Sequence, residues 1–183
     1  MILGITGTDG GGKGTVVDYL VRVKGFTHYS ASSFIAKEVL LQGLPISRNQ
    51  LRLTGNELRG KHGDDVLVAL ALKEAEATGD TNAIIESIRA TAEADTLKRH
   101  GGILLAVDAD PHLRYERVQM RRSDKDQVTF EEFLAHEELE RNDPDPHGMQ
   151  KAAVLEMSDF VIKNDGTLEE LHAQIEEFLR KYK

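Results

Sequence analysis

Residues 7–15 form a glycine-rich segment, Gly-Thr-Asp-Gly-Gly-Gly-Lys-Gly-Thr, which follows an apolar run and precedes an amphipathic one. Glycine lets backbone N–H groups converge on phosphate oxygens without interference from Cβ atoms. A helix that starts directly after such a loop adds a partial positive charge, and its lysine reaches the terminal phosphates. A flexible glycine turn with a solvated lysine is the alternative. The setting favours a triphosphate-binding loop made of Gly10, Gly11, Gly12, Lys13, Gly14 and Thr15.

Two oxygen-bearing side chains could serve a Mg²⁺ ion bound together with those phosphates. In the general motif a Ser or Thr follows the lysine and ligates the ion. Here Gly14 takes that place and the hydroxyl comes one residue later, at Thr15. Glu86 ends a short apolar strand, where nucleotide-binding α/β proteins keep the acid that orients Mg²⁺-bound water. We expect Thr15 and Glu86 to serve the metal, Glu86 through water.

A helix predicted for residues 48–61 carries three arginines and an asparagine on one face. Glu57 is the one acid on that helix, in a chain that has excess acid elsewhere. A basic stripe without acidic partners favours phosphate binding over an ordinary solvated face. We predict that this face, which includes Arg48, binds the acceptor of a phosphoryl transfer through Arg52, Asn56 and Arg59.

A second helix, predicted for residues 111–122, also carries a row of arginines. Arg114, Arg117 and Arg121 share a face at spacings i, i+3 and i+7. Arg121 opens the wholly polar segment 121–127, which we interpret as the main part of a lid at about 121–130. From there Arg121 could close over a transferring phosphoryl group. Ordinary surface ion pairs on this helix are the alternative.

Arg89 follows the strand that ends at Glu86, separated from it by two residues. In a doubly wound sheet the carboxyl ends of the strands line the ligand crevice, so Arg89 is placed to reach a phosphate. A surface ion pair with Glu93, four residues further on, is the alternative. We predict catalytic roles for Lys13, Arg89 and Arg121, and for Arg89 a contact with the acceptor as well.

Short apolar runs alternate with longer amphipathic stretches, the pattern of a parallel sheet covered by helices on both faces. Five strands are predicted, at residues 2–6, 26–29, 83–86, 103–107 and 160–163. Nine helices are predicted, at residues 13–23, 33–42, 48–61, 65–77, 90–99, 111–122, 130–141, 148–157 and 168–181. No linker divides the 183 residues. We expect one α/β domain, residues 1–183, with acceptor-binding helices at about 31–78.

Composition narrows the class of protein. The net charge of −8 argues against binding of nucleic acid or anionic membranes, both of which require basic surfaces. The absence of cysteine excludes disulfides, thiolate metal sites and a cysteine nucleophile. No cationic leader or long apolar run stands at the N-terminus, so a cytoplasmic location is expected. The expected partners are small-molecule nucleotides, with the protein as a monomer or homodimer.

Several motifs resemble those of the nucleoside monophosphate kinase branch of P-loop kinases. The Gly-Lys-Gly-Thr sequence at 12–15 resembles adenylate kinases, whereas Asp9 within the loop resembles thymidylate kinase. The latter likeness implies that Asp9 lies near the sugar of the monophosphate. Residues 116–122 resemble the segment that enters the adenylate kinase lid. That likeness implies that Arg117 stacks on the adenine of ATP and that Arg121 contacts phosphates.

The resemblance extends over almost the whole chain. Residues 51–68 and 84–102 are similar to the acceptor segments of deoxynucleoside monophosphate kinases. Residues 160–171 are similar to the end of dephospho-CoA kinases and related archaeal P-loop kinases, which implies that the turn at Asn164 contacts the donor base. By this likeness the acceptor would be bound by Asp9, Arg52, Asn56, Arg59 and Arg89.

The resemblance implies a three-layer αβα P-loop NTPase fold with a short lid. It also implies an ATP- and Mg²⁺-dependent phosphotransferase acting on a nucleoside monophosphate, with a deoxynucleotide favoured. The chain departs from adenylate kinases at residues 30–33, Ser-Ala-Ser-Ser, and lacks the aspartate that dephospho-CoA kinases carry after the second strand. Two alternatives stay open: a dephospho-CoA kinase-like small-molecule kinase, and a nucleotide-binding regulatory protein with little turnover.

Overall fold

A computed structural model describes residues 1–120 and 128–182. The strands are β1 (Ile2–Gly7), β2 (Thr27–Ser30), β3 (Ala83–Glu86), β4 (Ile103–Asp108) and β5 (Phe160–Lys163). The helices are α1 (Lys13–Lys24), α2 (Ala31–Leu41), α3 (Arg48–His62), α4 (Val66–Thr78), α5 (Thr91–Arg99), α6 (Pro111–Met120), α7 (Phe130–Arg141), α8 (Lys151–Glu156) and α9 (Leu168–Tyr182).

The five strands form one parallel sheet in the order β2-β3-β1-β4-β5. β1 lies at its centre, with Gly4 aligned to Ile85 of β3 on one side and to Leu104 of β4 on the other. Strands buried on both faces are continuous apolar runs, which is why these segments could be recognised without alternation. The predicted α/β class and the five-stranded parallel sheet are confirmed.

Helices cover both faces of the sheet. On one face, α1 and α9 pack Leu20 and Phe178 against Leu3 and Leu105 of the sheet. On the other face, α4, α5 and α8 pack against the opposite side chains of β3 and β4, with buried residues that include Leu72, Leu97, Val154, Ile85 and Leu104. The three-layer arrangement is therefore that expected from the sequence.

The segment before α8 differs from the prediction. A helix was expected over residues 148–157, but α8 spans only Lys151–Glu156. The Oδ1 atom of Asp143 accepts the backbone N–H of Asp145 at 3.1 Å, and Oδ1 of Asp145 accepts that of His147 at 2.9 Å. Aspartate side chains that bond the backbone two residues on stabilise turns in place of helix. Because of this turn, α8 begins only at Lys151, and Asp143 lies against α3.

The parallel strands end at a common edge, which carries the loop after β1, Glu86 after β3 and Asp108 at the end of β4. Ligand crevices of open α/β sheets form at this edge. Most of the predicted lid, residues 121–127 with Arg121, lies outside the described residues. Among the described helices, none has the length and apolar character that crossing a membrane requires.

Candidate functional site

The loop between β1 and α1 is held by close contacts with two other segments. Gly10 and Gly12 have φ angles of 77° and 101°, which residues with a Cβ rarely adopt. A Cβ on Gly10 would lie 2.3 Å from the carbonyl oxygen of Arg114, and one on Gly12 would lie 2.1 Å from Nδ2 of Asn164. The same Nδ2 donates a hydrogen bond of 2.9 Å to the Gly11 carbonyl oxygen. The start of α6 and the turn after β5 thus fix the loop's shape.

Lys13 stands at the first position of α1, where the helix N-terminus meets the loop. Its Nζ donates a hydrogen bond of 2.7 Å to the carbonyl oxygen of Thr8. Burial lowers the pKa of Lys13 to about 8, although the negative charge of Asp9 opposes this shift. The nearby cations Lys151 and Arg89 lower the pKa further. Lys13 is therefore a partly buried ammonium whose positive charge an incoming anion would stabilise.

A cavity of about 540 Å³ opens in front of this loop. Its walls come from the loop and α1, from the segment after β3, from α2 and α3, and from α7 and the segment before α8. This volume is that of a small-molecule site. The charged side chains that line it are Asp9, Lys13, Arg48, Arg52, Glu86, Arg89 and Glu140.

Glu86 presents an ionised carboxylate to the cavity. Burial alone would raise its pKa, but hydrogen bonds from His28 and Ser87 lower it to about 2. The positive charges of Lys13 and Arg89 act in the same direction. Oγ of Ser87 donates to Oε2 of Glu86 at 2.8 Å, so the carboxylate has a fixed orientation.

Thr15 lines the same cavity as Glu86 and Lys13. Hydroxyl and carboxylate oxygens are the ligands that Mg²⁺ prefers, so this pair fits the predicted metal site. In the described part of the chain, no three His, Cys, Asp or Glu side chains lie close enough together to hold a metal ion. A Mg²⁺ ion at this site would therefore depend on oxygens from a bound nucleotide and from water.

Ser87 has a backbone conformation that the sequence did not reveal. Its φ is 75°, the one positive φ among the described non-glycine residues. The backbone N–H of Ser87 donates to the Ile5 carbonyl oxygen at 3.1 Å, which holds this conformation in place. Strain of this kind often accompanies functional sites. Here it turns the chain so that Glu86 and Arg89 both line the cavity.

Arg89 is the exception among the cavity's arginines, because no carboxylate of the described residues lies within 4.0 Å of its guanidinium. Its Nη1 contacts the Sδ atom of Met149 at 3.5 Å. Burial alone would lower the pKa of Arg89, but the negative charges of Glu140 and Asp9 raise it. The alternative of a side-chain pair with Glu93 is not realised. Arg89 thus offers a permanent positive charge to the cavity.

The prediction that the arginines of α3 lack acidic partners is wrong. Their partners come from positions 34 to 92 residues away along the chain, where local sequence gives no indication of contact. The pairs are Arg48 Nη1 with Asp9 Oδ2 at 2.6 Å, Arg52 Nη1 with Asp143 Oδ2 at 2.8 Å, and Arg59 Nη2 with Glu93 Oε1 at 2.9 Å.

These pairs change the roles expected for the α3 side chains. Arg52 lines the cavity, as predicted, but Arg59 is only 2% exposed and lies outside the cavity lining. The prediction that Arg59 contacts the acceptor is therefore corrected. Its guanidinium makes a buried structural ion pair instead. Asn56 is also buried, and its Nδ2 donates to Oδ2 of Asp143 at 3.3 Å. Together Arg52 and Asn56 hold the turn that begins at Asp143.

Two further charged residues of the site were not predicted from the sequence. Lys151 of α8 and Glu140 of α7 are both buried and form an ion pair of 2.7 Å. Arg48 lies 3.3 Å from Glu140, and Lys151 lies 3.9 Å from Asp9. Burial alone would raise the pKa of Asp9, but the charges of Lys151, Lys13 and Arg48 hold it well below its usual range. Two carboxylates and two cations thus form a compact network beside the loop.

A second cavity, of about 360 Å³, lies on the other side of the loop. Arg117 and Asn164 line it together with Gly12 and Thr15. One guanidinium nitrogen of Arg117, Nη2, donates to the Asn164 carbonyl oxygen at 2.9 Å, whereas its buried Nη1 has no hydrogen-bond partner among the residues that the structure describes. Arg117 and Asn164 are therefore brought together, next to the predicted phosphate loop.

Arg114 does not belong to either cavity's lining and is only 4% exposed. It forms an ion pair with Glu137 of α7, in which Nη2 lies 3.0 Å from Oε2. Its Nε donates to the Ala109 carbonyl oxygen at 2.9 Å and its Nη1 to that of Asp9 at 3.4 Å. Arg114 thus ties α7 to the loop, and the surface ion pairs considered as the alternative for this helix are not realised at Arg114.

The fold, the glycine loop and the lysine at its helix N-terminus together define a kinase-like P-loop protein. The AAA_18 family model, described as an AAA domain, matches residues 3–143 of this chain. Because the match extends over more than half of the chain, this protein belongs to that family.

Curated relatives resemble this chain over almost its whole length. UPF0200 protein TK1334 of Thermococcus kodakarensis is 26% identical, with 98% of this chain and 96% of that protein covered. A UPF0200 protein of Methanoculleus marisnigri is 28% identical, with 97% of this chain and 94% of that protein covered.

Solved structures give the same class of fold. A shikimate kinase from Acinetobacter baumannii in complex with shikimate superposes with a TM-score of 0.58 at 16% identity, covering 98% of this chain and 91% of that chain. TT1252 from Thermus thermophilus superposes with a TM-score of 0.58 at 26% identity, covering 99% of this chain and 97% of that chain. The likeness to shikimate kinase concerns the fold alone.

Proposed function

We propose that this protein is a Mg²⁺- and ATP-dependent phosphotransferase whose acceptor is a nucleoside monophosphate, with a deoxynucleotide favoured. One observation carries the proposal: Lys13 and Arg89 line the same cavity, and neither has a carboxylate partner within 4.0 Å among the described residues. Two cations in one cavity, neither in direct contact with a carboxylate of the described residues, favour a pair of anionic groups. The two phosphates of a donor and an acceptor fit this requirement.

The donor would lie along the glycine loop. Backbone N–H groups of residues 10–15 and the Lys13 ammonium would hold its phosphates. Its base would enter the second cavity, where the Arg117 guanidinium and the turn at Asn164 form the walls. Gly12 and Thr15 line both cavities and would thus contact the donor where its phosphates pass from one cavity to the other.

The acceptor would occupy the 540 Å³ cavity with its phosphate against Arg89. Asp9, Glu140, Arg48 and Lys151 already neutralise one another, so they fit the uncharged part of the acceptor better than its phosphate. Asp9 is 21% exposed in its side chain and would accept a hydrogen bond from a sugar hydroxyl. Arg52 would support this wall through Asp143.

A Mg²⁺ ion, when bound, would neutralise charge on the donor phosphates. Thr15 would contact it directly and Glu86 would hold its water. With a pKa of about 2, Glu86 is ionised at neutral pH, which suits its contact with metal-bound water.

Phosphoryl transfer passes through a loose transition state, so alignment and charge neutralisation supply most of the catalysis. An oxygen of the acceptor phosphate forms a bond to the γ-phosphorus of ATP while the bond to the β–γ bridging oxygen breaks, and ADP leaves. An acceptor phosphate is already an anion, so no general base is required. Lys13 stabilises the charge on the donor side and Arg89 that on the transferring group. Arg121, predicted to assist there, lies outside the described residues.

A hydroxyl acceptor is the second candidate, because the Asp9 carboxylate faces the cavity close to Lys13. Asp9 could then take the proton of the attacking hydroxyl, as kinase aspartates do. A dephospho-CoA kinase-like activity would use such a step. The low pKa of Asp9 and the ion pair of Asp9 with Arg48 make this carboxylate a weak base. A weak base at this place favours the monophosphate acceptor over a hydroxyl acceptor.

An acceptor panel tests the proposal. ADP formation is followed with Mg²⁺, ATP and each ribo- and deoxynucleoside monophosphate, dephospho-CoA or shikimate. We expect turnover with at least one monophosphate, and a loss of kcat on the order of 10²–10³-fold in Lys13→Ala. Lys37→Ala, which changes an exposed lysine of α2, is the matched control and keeps full activity.

The outcomes separate the candidates. Turnover with dephospho-CoA or shikimate alone would establish a hydroxyl acceptor instead of a monophosphate. ATP binding without any turnover would favour the nucleotide-binding regulatory protein.

A further inference from the structure

The Arg59–Glu93 ion pair is the most deeply buried in the described part of the chain, with side chains 2% and 0% exposed. Nε of Arg59 donates to Oε1 of Glu93 at 3.0 Å, and Nη2 lies 2.9 Å from the same oxygen. Arg59 belongs to α3 and Glu93 to the first turn of α5, so the pair connects the predicted acceptor helix to the segment after β3.

The second oxygen of Glu93 holds the backbone that carries Arg89. Oε2 accepts the backbone N–H of Arg89 at 2.7 Å and that of Ala90 at 3.1 Å. The Arg89 carbonyl oxygen in turn accepts the N–H of Gln150 at 2.8 Å. Both backbone groups of Arg89 are therefore fixed, and one of them is fixed by the partner of Arg59.

A buried ion pair is a weak source of stability, because removing two charges from water costs about as much as their attraction returns. Such a pair does restrict how the two segments that it joins can lie relative to each other, because buried charges that face each other tolerate little displacement. Arg59 lies seven residues, about two helical turns, after Arg52 on α3. Fixing Arg59 therefore also fixes the helix that presents Arg52 and Arg48 to the cavity.

We propose that Arg59 and Glu93 are positioning residues that hold the Arg89 guanidinium at a set place relative to the α3 wall of the acceptor cavity. The proposal rests on the proposed function insofar as Arg89 is taken to meet the transferring phosphoryl group. It assigns to Arg59 an action through Glu93 and the Arg89 backbone, without contact to substrate.

The double variant Arg59→Met/Glu93→Gln tests this role. It replaces the pair by neutral side chains of similar volume, which buried sites often accept without loss of folding, and the introduced amide retains an oxygen for the backbone N–H groups. Arg59→Lys is the conservative variant. Two controls accompany them: Glu57→Gln, which breaks the exposed Lys61–Glu57 pair of the same helix, and Val39→Ala, which removes buried volume from α2.

With the best acceptor of the panel, we expect kcat of the double variant to fall about tenfold or more while KM for ATP stays within about twofold. Arg59→Lys should retain part of the kcat that the double variant loses, because its ammonium keeps a positive charge beside the Glu93 carboxylate. Val39→Ala should lower the melting temperature without changing kcat, and Glu57→Gln should change neither.

A second measurement does not depend on turnover. The Nε–H resonance of Arg89 in ¹⁵N-labelled protein, assigned by its loss in Arg89→Lys, is followed during titration with inorganic phosphate. We expect it to shift in the double variant, with phosphate binding roughly tenfold weaker than in the wild type. The same resonance position and phosphate affinity in both proteins would overturn the proposal.

The two measurements keep the proposals apart. If no acceptor turns over with the wild type, the proposed function fails, and the Arg89 resonance alone decides the positioning role. If turnover is found but kcat of the double variant matches the wild type, the positioning role fails and the proposed function stands.

Discussion

The two sides of the cavity are built by different means. On the side that we propose binds the donor, called the donor side, backbone geometry makes the site: consecutive residues 7–15 with positive-φ glycines, held by close contacts with neighbouring backbone and Asn164. On the side that we propose binds the acceptor, called the acceptor side, long-range ion pairs make it, between α3 and residues far away along the chain. A site made by local backbone leaves a motif in the sequence, whereas a site made by distant pairs leaves only scattered charges.

The sharpest way to separate the two sides is a glycine substitution in the loop. Gly10→Ala would place a Cβ 2.3 Å from the Arg114 carbonyl oxygen, so the loop must move. We expect ATP affinity to fall by about 100-fold, since a displacement of about 1 Å can cost that much. Gly79→Ala is the matched control. Gly79 also has a positive φ, 73°, but a Cβ added there would meet open space.

Calorimetric titration with ATP and thermal melting of both variants measure the difference. Gly79→Ala should lose about 1 kcal/mol of stability and keep its ATP affinity. Equal ATP affinities in the two variants would show that the close packing of the loop is irrelevant to donor binding.

The substitution Asp143→Asn tests the acceptor side, and its expected effect is of intermediate size. This change keeps an oxygen for the Asp145 N–H but removes the charge that Arg52 contacts at 2.8 Å. We expect a loss of about 2 kcal/mol in the free energy of unfolding, because a largely buried cation loses its partner. We also expect a raised KM for the acceptor and an unchanged KM for ATP.

Urea denaturation and steady-state kinetics check both parts of this expectation. A rise in KM for ATP of the same size as that for the acceptor would show that the two sides are not separate. An unchanged stability would show that the Arg52–Asp143 pair contributes nothing.

The smallest expected effect is a pH dependence on the donor side alone. With a pKa of about 8, Lys13 is charged below that pH and neutral above it. ATP affinity should therefore be constant below about pH 7 and fall above about pH 8, by at most about tenfold per pH unit. Calorimetry across this range measures it. Lys13→Arg, whose guanidinium stays charged, should remove the dependence, and a wild-type affinity that stays constant to about pH 9.5 would contradict it.

The fold could be predicted from the sequence because its signals are local. Buried parallel strands are continuous apolar runs, and α9 begins at a capping box in which Thr167 and Glu170 exchange hydrogen bonds of 2.8 and 3.2 Å. The loop of residues 7–15 is local as well. Lys13 and Glu86 were therefore predicted to share a cavity, and the structure brings them together.

The acceptor side could be predicted only in part. The arginines of α3 were found by their spacing, but the acids that pair with them are up to 92 residues away, and no pattern in one sequence joins such positions. Glu140 gave no signal, because it stands among other charged residues of α7. Lys151 gave none either, because no acid lies within four residues of it along the chain. Asp143 did give one, in the sequence Asp143-Pro144-Asp145-Pro146, but a turn was all that it indicated.

The ion pair between Arg48 and Asp9 joins α3 to the loop that precedes Lys13. A ligand that draws Arg48 away from Asp9 would leave more of the Asp9 charge for Lys13, and would thereby change how strongly the loop attracts a triphosphate. Linkage requires the reverse effect to be equal in size, so each substrate would alter the other's affinity by the same factor. Through this single contact the proposed donor and acceptor would raise or lower each other's affinity.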